Sequence, residues 1–481
     1  MEQPLGCIKH LEDNWLIGDD TRQFQQIAQE LYLELLTYLS SSGTPPKIIL
    51  AERQPVKFLA SFIAACAANC PVFLCNPDWG KQEWQQVFDL VQPDIIWGMA
   101  HGAWRIGHGE EVDTQCPIPN AQCPMPNKIM VPTGGSSGKI KFAIHTWETL
   151  TASVRGFQEY FQLNKINSFC VLPLYHVSGL MQFMRSFTTG GNLAILPFKE
   201  VECGQVDDTK KLETERYFIS LVPTQLHRLL QNPKLIEWLS QFQTVLLGGA
   251  PAWDELLDKA RYYKIRLSPT YGMTETASQI ATLKPDDFLN GKVNCGRILP
   301  HAQVIICNDK GEILHANQVG NIRIQAKSLT LGYYHFQPGN PKINKNNLDY
   351  LQIDDLGFLD AEGYLNIVGR SSEKIITGGE NVYPIEVESA IRATKMVRDV
   401  CVIGIPDKHW GQAVTAIYIP QNSNISTLKI ESLLKSQLCK FKIPKHWIPV
   451  PNLPRNPQGK INRQQLQQVA TNLLQISLSI T

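Results

Sequence analysis

Val131-Pro132-Thr133-Gly134-Gly135-Ser136-Ser137-Gly138-Lys139-Ile140-Lys141 is the stretch on which the reading of this chain turns. It gathers hydroxyl residues and three glycines into a short loop that ends in two lysines. Glycine permits close approach and positive φ, so such a loop can turn N–H groups and hydroxyls toward phosphate oxygens. Apolar Ile129-Met130-Val131 runs into it, and a strand feeding a Gly-rich turn is the usual mounting of a phosphate loop. The loop departs from the Walker A pattern. Thr133 stands where the first Gly would be, and Ile140 where the magnesium hydroxyl would be. A flexible Gly/Ser linker has the same composition, so the loop alone decides nothing and needs partners elsewhere in the chain.

The chain around it has 481 residues, too many for one compact core, which predicts two or three domains. The hydrophobic share of 43% and charged share of 19% are those of a globular protein. Lys and Arg number 45 against 44 Asp and Glu, a net charge of +1. That balance argues against a nucleic-acid or anionic-membrane partner, either of which calls for a basic excess. Residues 58–77 carry no charge, but Asn69 and Pro71 interrupt them. They read as a buried helix from Phe58 to Asn69 and a short strand from Val72 to Leu74, not as a membrane span. The first residues show no basic or apolar leader pattern. With 12 cysteines and no such leader, reduced thiols and a cytoplasmic location are expected. Cys66, Cys70 and Cys75, like Cys116 and Cys123, lack Cys-x-x-Cys spacing and read as small apolar side chains rather than zinc ligands.

Short apolar strands alternate with helical spacing along the first half. Phe24, Ile27, Leu31, Leu35 and Leu39 mark a helix that ends at Ser40-Ser41-Ser42-Gly43. Strands are expected at 48–50, 95–97, 169–172, 193–196, 218–221 and 244–247. The alternation predicts an α/β fold with largely parallel sheets. From about residue 290 to 368 the pattern turns β-rich, with strands at 304–306, 320–324 and 364–368. A smaller α+β region follows, with helices at 384–394 and 425–438 and strands at 400–405 and 413–419. The domain boundary is placed at Arg370 to Glu373, giving an N-terminal domain of 1–370 and a C-terminal one of 371–481.

Further motifs carry chemistry. Gly248-Gly249-Ala250-Pro251 follows a strand, and small residues there let a flat ring such as adenine lie against backbone; a plain strand-to-helix turn reads the same. Tyr271-Gly272-Met273-Thr274-Glu275 offers an aromatic face for a purine, a hydroxyl for an anionic oxygen, and a carboxylate for Mg²⁺, which prefers oxygen ligands. Thr274 also reads as a helix N-cap. Asp355, taken to lie in a turn, and Arg370 offer a carboxylate and a guanidinium for two ribose hydroxyls, or form a surface ion pair. Gly378-Gly379 makes a tight turn beside a ligand, with Pro384 opening the next helix. Lys460 sits on a Pro/Gly loop from which it can reach another domain.

Taken in order, these motifs resemble the adenylate-forming acyl-CoA synthetase superfamily over essentially the whole chain. The set comprises the Thr133–Lys141 loop, Pro173-Leu174-Tyr175-His176, Tyr-Gly-x-Thr-Glu, Asp355, Gly369-Arg370, Gly-Gly-Glu-Asn-x-Tyr-Pro and Gly459-Lys460. The resemblance implies a large N-terminal domain of two α/β subdomains plus a small β-barrel-like one, and a small mobile C-terminal domain. It implies ATP and Mg²⁺, with CoA as the second substrate. By that resemblance Thr133, Gly134, Gly135, Ser136, Ser137, Gly138 and Lys141 cradle phosphates, and Glu275 holds the metal. Thr274 and Lys460 bridge the reacting oxygens, and Gly378 and Gly379 replace Lys460 in the thioester step. His176-Val177-Ser178-Gly179-Leu180 with Met184-Arg185, and Thr274-Glu275-Thr276-Ala277-Ser278-Gln279, are similar to the branch that activates 2-succinylbenzoate on the way to menaquinone or phylloquinone. A second carboxylate on the substrate needs donors, for which Arg185, Ser278 and Gln279 are the candidates, with His176 lining the acyl pocket. An ion-paired structural arginine is the competing reading of Arg185. The chain departs from the family pattern at Ile140-Lys141-Phe142 (Pro-Lys-Gly), Ile353-Asp354-Asp355 (Thr-Gly-Asp) and Ser372 (the hinge acid). A ligase for another aryl or fatty acid, or a nucleotide-binding regulator without catalysis, stand as alternatives, and a homo-oligomer is left open.

Overall fold

The computed structural model describes the chain apart from residues 1–3, 9–10, 13, 19–20, 99–126, 135–139, 207–211, 335–349, 408, 423–424, 456–460 and 480–481. Gly135, Ser136, Ser137, Gly138, Cys116, Cys123 and Lys460 therefore lie outside the described residues.

An eight-stranded sheet forms the centre of the large domain. Its order is Leu16–Ile17, Leu193–Ile195, Asn167–Cys170, Tyr217–Leu221, Thr244–Leu247, Leu267–Met273, Ser278–Thr282 and Arg297–Ile298. The first six strands pair parallel, and the last two are added antiparallel. A second sheet, in order Ile95–Trp97, Ile48–Leu50, Val72–Leu74, Ile129–Gly134 and Ile140–His145, is parallel except for its last pair. Strands buried on both faces read as unbroken apolar runs, as Ile48-Ile49-Leu50 and Thr244–Leu247 do. Helices Thr21–Ser42, Pro55–Ala67 and Val177–Thr189 bring Phe24, Phe62, Phe183 and Phe187 around Trp15 in one core cluster. Cys66, Cys70 and Cys75 are buried in the interior. No helix among the described residues is long and apolar enough to cross a membrane.

A four-stranded antiparallel sheet follows, made of Ala302–Cys307, Gly320–Ala326, Leu351–Leu359 and Leu365–Arg370. The 3₁₀ turn Ser371–Glu373 then leads into the small C-terminal domain. There the long hairpin Val397–Asp407 and Gly411–Pro420 packs against helix Pro384–Ala393, with Val387 and Ile391 in its core.

The expected elements recur with shifted ends. The first long helix runs through Ser42 instead of stopping at Ser40, because Ser40, Ser41 and Ser42 donate their hydroxyls back to the carbonyls of Thr37 and Tyr38. Asp355 does not lie in a turn. It stands inside strand Leu351–Leu359, opposite Arg370 in the ladder. Its middle, Asp354-Asp355-Leu356-Gly357, has the composition of a turn, which hides the strand. Thr274 begins a single 3₁₀ turn, Thr274–Thr276, not a long helix.

Candidate active site

The two sheets of the large domain meet at the paired strands Ile129–Gly134 and Ile140–His145 and at the turn after Leu267–Met273. In the first pair Thr133 lies opposite Lys141. Thr133 Oγ1 donates to Glu275 Oε1 at 3.4 Å, although 142 residues separate them in the chain. Tyr333 donates its hydroxyl to the same oxygen at 2.7 Å. Burial and the neighbouring Glu275 push that phenol's pKa up, so it remains a donor. Lys141 Nζ stands 5.7 Å from the Tyr333 ring centroid. One carboxylate thus gathers the start of the Gly-rich loop and a tyrosine, beside whose ring the loop's lysine stands. A single carboxylate with phosphate oxygens is a usual set for Mg²⁺, so the donor set fits that ion.

The backbone of this turn is held as firmly as its side chains. His145, fully buried, sits 2.8 Å from the Thr274 carbonyl and 3.1 Å from the Thr149 hydroxyl. Burial pushes the imidazole down to about 4, so it is neutral and donates Nε2–H to Thr274. Thr330 N–H donates to the Glu275 carbonyl at 2.8 Å. Ala277 and Ser278 follow with φ of 50° and 88°, a left-handed pair that L side chains adopt at a cost. Ser153 bonds the Ala277 carbonyl at 2.7 Å, which holds that conformation in place. Gly272 is required here: a Cβ would lie 2.1 Å from the Ser278 carbonyl oxygen.

Helix Trp147–Phe161 organises this region. Thr146 caps it, accepting from Thr149 N–H at 3.2 Å. Thr149, Ser153, Gly156, Phe157 and Tyr160 share one stripe at helical spacing. They touch, in turn, His145, the Ala277 carbonyl, His301, Arg185 and the Thr282 carbonyl.

At the far end of the Thr274–Gln279 segment lies Arg185. It is 2% exposed. Its Nη2 donates to Gln279 Oε1 at 2.6 Å and Ser278 Oγ at 3.2 Å, and its guanidinium carbon sits 4.3 Å from the Phe157 ring centroid. No carboxylate among the described residues pairs with it. Burial pulls its pKa down to about 9. His176 precedes helix Val177–Thr189 at its N-cap position, its ring 4.6 Å from that of Tyr175.

A second cluster stands at the strand ends. Tyr271 donates its hydroxyl to Asp355 Oδ2 at 2.5 Å, and Arg370 Nε donates to Oδ1 at 3.2 Å. Burial and Asp355 push the Tyr271 phenol far up. Tyr271 thus orients the carboxylate, a use distinct from stacking on a purine. Asp355 is largely enclosed, unlike an exposed ion pair, at 14% side-chain exposure against 51% for Arg370. Gly248, Gly249, Ala250 and Pro251 leave the neighbouring strand Thr244–Leu247; Gly249 has φ of 82°, and a Cβ on Gly248 would meet Thr270 Oγ1 at 2.6 Å. Two departures from the family pattern meet one another: Ser372 donates its N–H to Asp354 Oδ1 at 3.0 Å and its hydroxyl to Oδ2. Gly378 and Gly379, with φ of 58° and 86°, close a two-residue hairpin in the C-terminal domain.

Tyr333, His145, Thr330 and His301 were absent from the sequence reading. None of them belongs to a short motif of its own, and only tertiary contact gives each a role.

A turn gathered on the Glu275 carboxylate, an enclosed Asp–Arg–Tyr cluster and an α/β frame with a small C-terminal domain are the features of a nucleotide-activating enzyme class. The chain belongs to the AMP-binding enzyme family: residues 39–334 match its main model and residues 386–460 the AMP-binding enzyme C-terminal domain. It is 35% identical over 346 residues to the 2-succinylbenzoate–CoA ligase of Listeria monocytogenes, covering 70% of this chain and 68% of the relative. The enzyme of that name from Oceanobacillus iheyensis is 33% identical over 343 residues, covering 70% and 68%. The fold matches the o-succinylbenzoate CoA synthetase of Bacillus subtilis in complex with its acyl-adenylate intermediate at a TM-score of 0.76, over 94% of both chains. At 24% identity that likeness speaks for the fold alone.

Proposed function

We propose that this chain is an AMP-forming acid–thiol ligase that joins 2-succinylbenzoate to CoA at the expense of ATP, working in the cytoplasm. The observation that carries the substrate is Arg185, a buried guanidinium without a carboxylate partner among the described residues, at one end of a segment whose other end is Thr274-Glu275. From Glu275 to Gln279 the segment takes four steps along the chain, at most about 14 Å when extended. An acid bearing two carboxylates suits that arrangement: one carboxylate meets the nucleotide while the other meets Arg185. A buried cation left unpaired is costly, and a fatty acid would leave it so.

In the first half-reaction a carboxylate oxygen of the acid attacks the α-phosphorus of ATP. The bond from that phosphorus to the bridging oxygen breaks, and pyrophosphate leaves. Acid and triphosphate repel, so positioning and fixed positive charge carry most of the acceleration. Thr133, Lys141 and the loop residues Gly134 to Gly138 hold the phosphates; Tyr271, Asp355 and Arg370 hold the ribose; Gly248 to Pro251 flank the base. Magnesium, when bound, neutralises the triphosphate, and Glu275 is the residue that would hold it. In the second half-reaction the CoA sulfur, losing its proton, attacks the acyl carbon, and the bond to the AMP oxygen breaks. Lys460 serves the first step and the Gly378-Gly379 hairpin the second. The exchange is a swing of the C-terminal domain about residues 370–373, where the Ser372–Asp354 pair sits.

The test is pyrophosphate release from ATP with 2-succinylbenzoate, benzoate or a medium-chain fatty acid, followed by thioester formation on adding CoA. Release with 2-succinylbenzoate alone is expected. Release with a monocarboxylate alone refutes the substrate, and no release with any acid refutes the enzyme.

A further inference from the structure

His301 lies beside Arg185 in a notch cut for it. A Cβ on Gly156 would lie 1.9 Å from the imidazole Nδ1 and 2.5 Å from Cγ, so the ring rests on bare helix backbone. The next residue, Phe157, carries the Arg185 guanidinium on its face. Two side chains that bind anions thus stand on adjacent residues of one helix.

Both ring nitrogens of His301 are buried without a partner among the described residues, and so are Arg185 Nε and Gln279 Nε2. An orphaned buried polar group is destabilising, so such a group of orphans is not what stability alone would retain. Arg185 Nε, Gln279 Nε2 and one His301 nitrogen are N–H donors, whereas a carboxylate offers two oxygens with about four acceptor positions. Burial and the charge of Arg185 hold the His301 ring down at about 4, hence neutral. A neutral imidazole gives one N–H, enough for one oxygen, while Arg185 supplies the charge.

We propose that His301 is a specificity-determining residue, which with Arg185 and Gln279 grips the carboxylate of the aryl dicarboxylic acid that is not activated. The proposal rests on the function above and adds to it a recognition partner set in the Gly156 notch.

The experiment compares His301→Ala, His301→Gln and wild type on 2-succinylbenzoate and on 3-benzoylpropionate, which lacks the ring carboxylate, by pyrophosphate release. With 2-succinylbenzoate, His301→Ala is expected to lower kcat/KM by roughly 10- to 100-fold, chiefly through KM, as loss of a buried donor to a charged group does. With 3-benzoylpropionate the change is within about threefold, since there is no second carboxylate to lose. His301→Gln, which keeps an N–H donor, recovers most of the loss. The KM for ATP and the thermal midpoint report whether the variants fold like wild type. Equal losses on both acids, or no loss on 2-succinylbenzoate, overturn the role of His301 while leaving the ligase reading intact. Should His301→Ala fail to fold, His301→Leu, which fills the notch without a donor, takes its place: a larger loss on 2-succinylbenzoate than on 3-benzoylpropionate supports the proposal, and an equal one overturns it. Wild type inert toward 2-succinylbenzoate overturns both, and that result appears in the first assay.

Discussion

Replacing Arg185 by Met is expected to make the free protein more stable and the enzyme worse. Arg185 is enclosed without a counter-ion among the described residues, and burial moves its pKa from 12.5 to about 9. A depression of that size corresponds to on the order of 5 kcal/mol of lost solvation. Two hydrogen bonds to neutral groups and the Phe157 face return part of it. Methionine fills similar space without charge. It strands no acceptor either, because Ser278 Oγ still donates to Gln279 Oε1 at 2.7 Å. Exchanging a buried ion for an apolar side chain commonly gains about 1–3 kcal/mol, so the thermal midpoint should rise by a few degrees. Catalysis goes the other way. A second substrate carboxylate then has no cation to meet, and losing one partner of a buried charge pair costs about 2–4 kcal/mol, or roughly 30- to 1,000-fold in kcat/KM. The assays are thermal unfolding with and without 2-succinylbenzoate, and pyrophosphate release. Saturating acid should raise the midpoint of wild type and leave that of the variant where it was. A lower midpoint in Arg185→Met together with an unchanged KM for 2-succinylbenzoate would show that Arg185 is structural and the reasoning wrong.

Tyr333→Phe removes one of the two hydroxyls on Glu275 Oε1. Turnover should fall by roughly 5- to 30-fold, about 1–2 kcal/mol, and a magnesium titration should show a higher half-saturating concentration; an unaltered titration contradicts Glu275 as the metal ligand. Lys460→Ala should abolish pyrophosphate release while sparing thioester formation from supplied acyl-adenylate, and equal loss of both half-reactions rules out the domain exchange. His145 is buried neutral, with a folded value near 4 against 6.5 free. Below pH 6.5 the unfolded chain takes up a proton that the folded one refuses, so stability is fully present above that pH and lost as pH falls toward 4, by on the order of 3 kcal/mol. Midpoints measured from pH 7 to 4 should fall less steeply in His145→Gln, whose amide can still donate to the Thr274 carbonyl; an identical slope would clear His145 of the effect.

By itself the sequence determined the α/β class, the places along the chain of the strands whose apolar runs are buried on both faces, and the glycine hairpin at Gly378-Gly379. These are local matters. Periodicity, glycine at positive φ and short motifs are written in neighbouring residues, and the Gly378-Gly379 pair can be recognised without knowing what lies across from it. What only the tertiary structure decided is which lone polar residues meet. Thr133 and Glu275 are 142 positions apart, His145 and Thr274 are 129, and Tyr271 and Asp355 are 84. Asp355 looked like a turn residue because its strand is neither apolar nor strictly alternating, and it became an enclosed carboxylate only once Tyr271 and Arg370 closed on it. Arg185 has the same letters around it whether or not an acid pairs with it. The absence of that acid among the described residues follows from how helix Val177–Thr189 packs against helix Trp147–Phe161 and the Ser278–Thr282 strand, because pairing depends on distance in space and not along the chain.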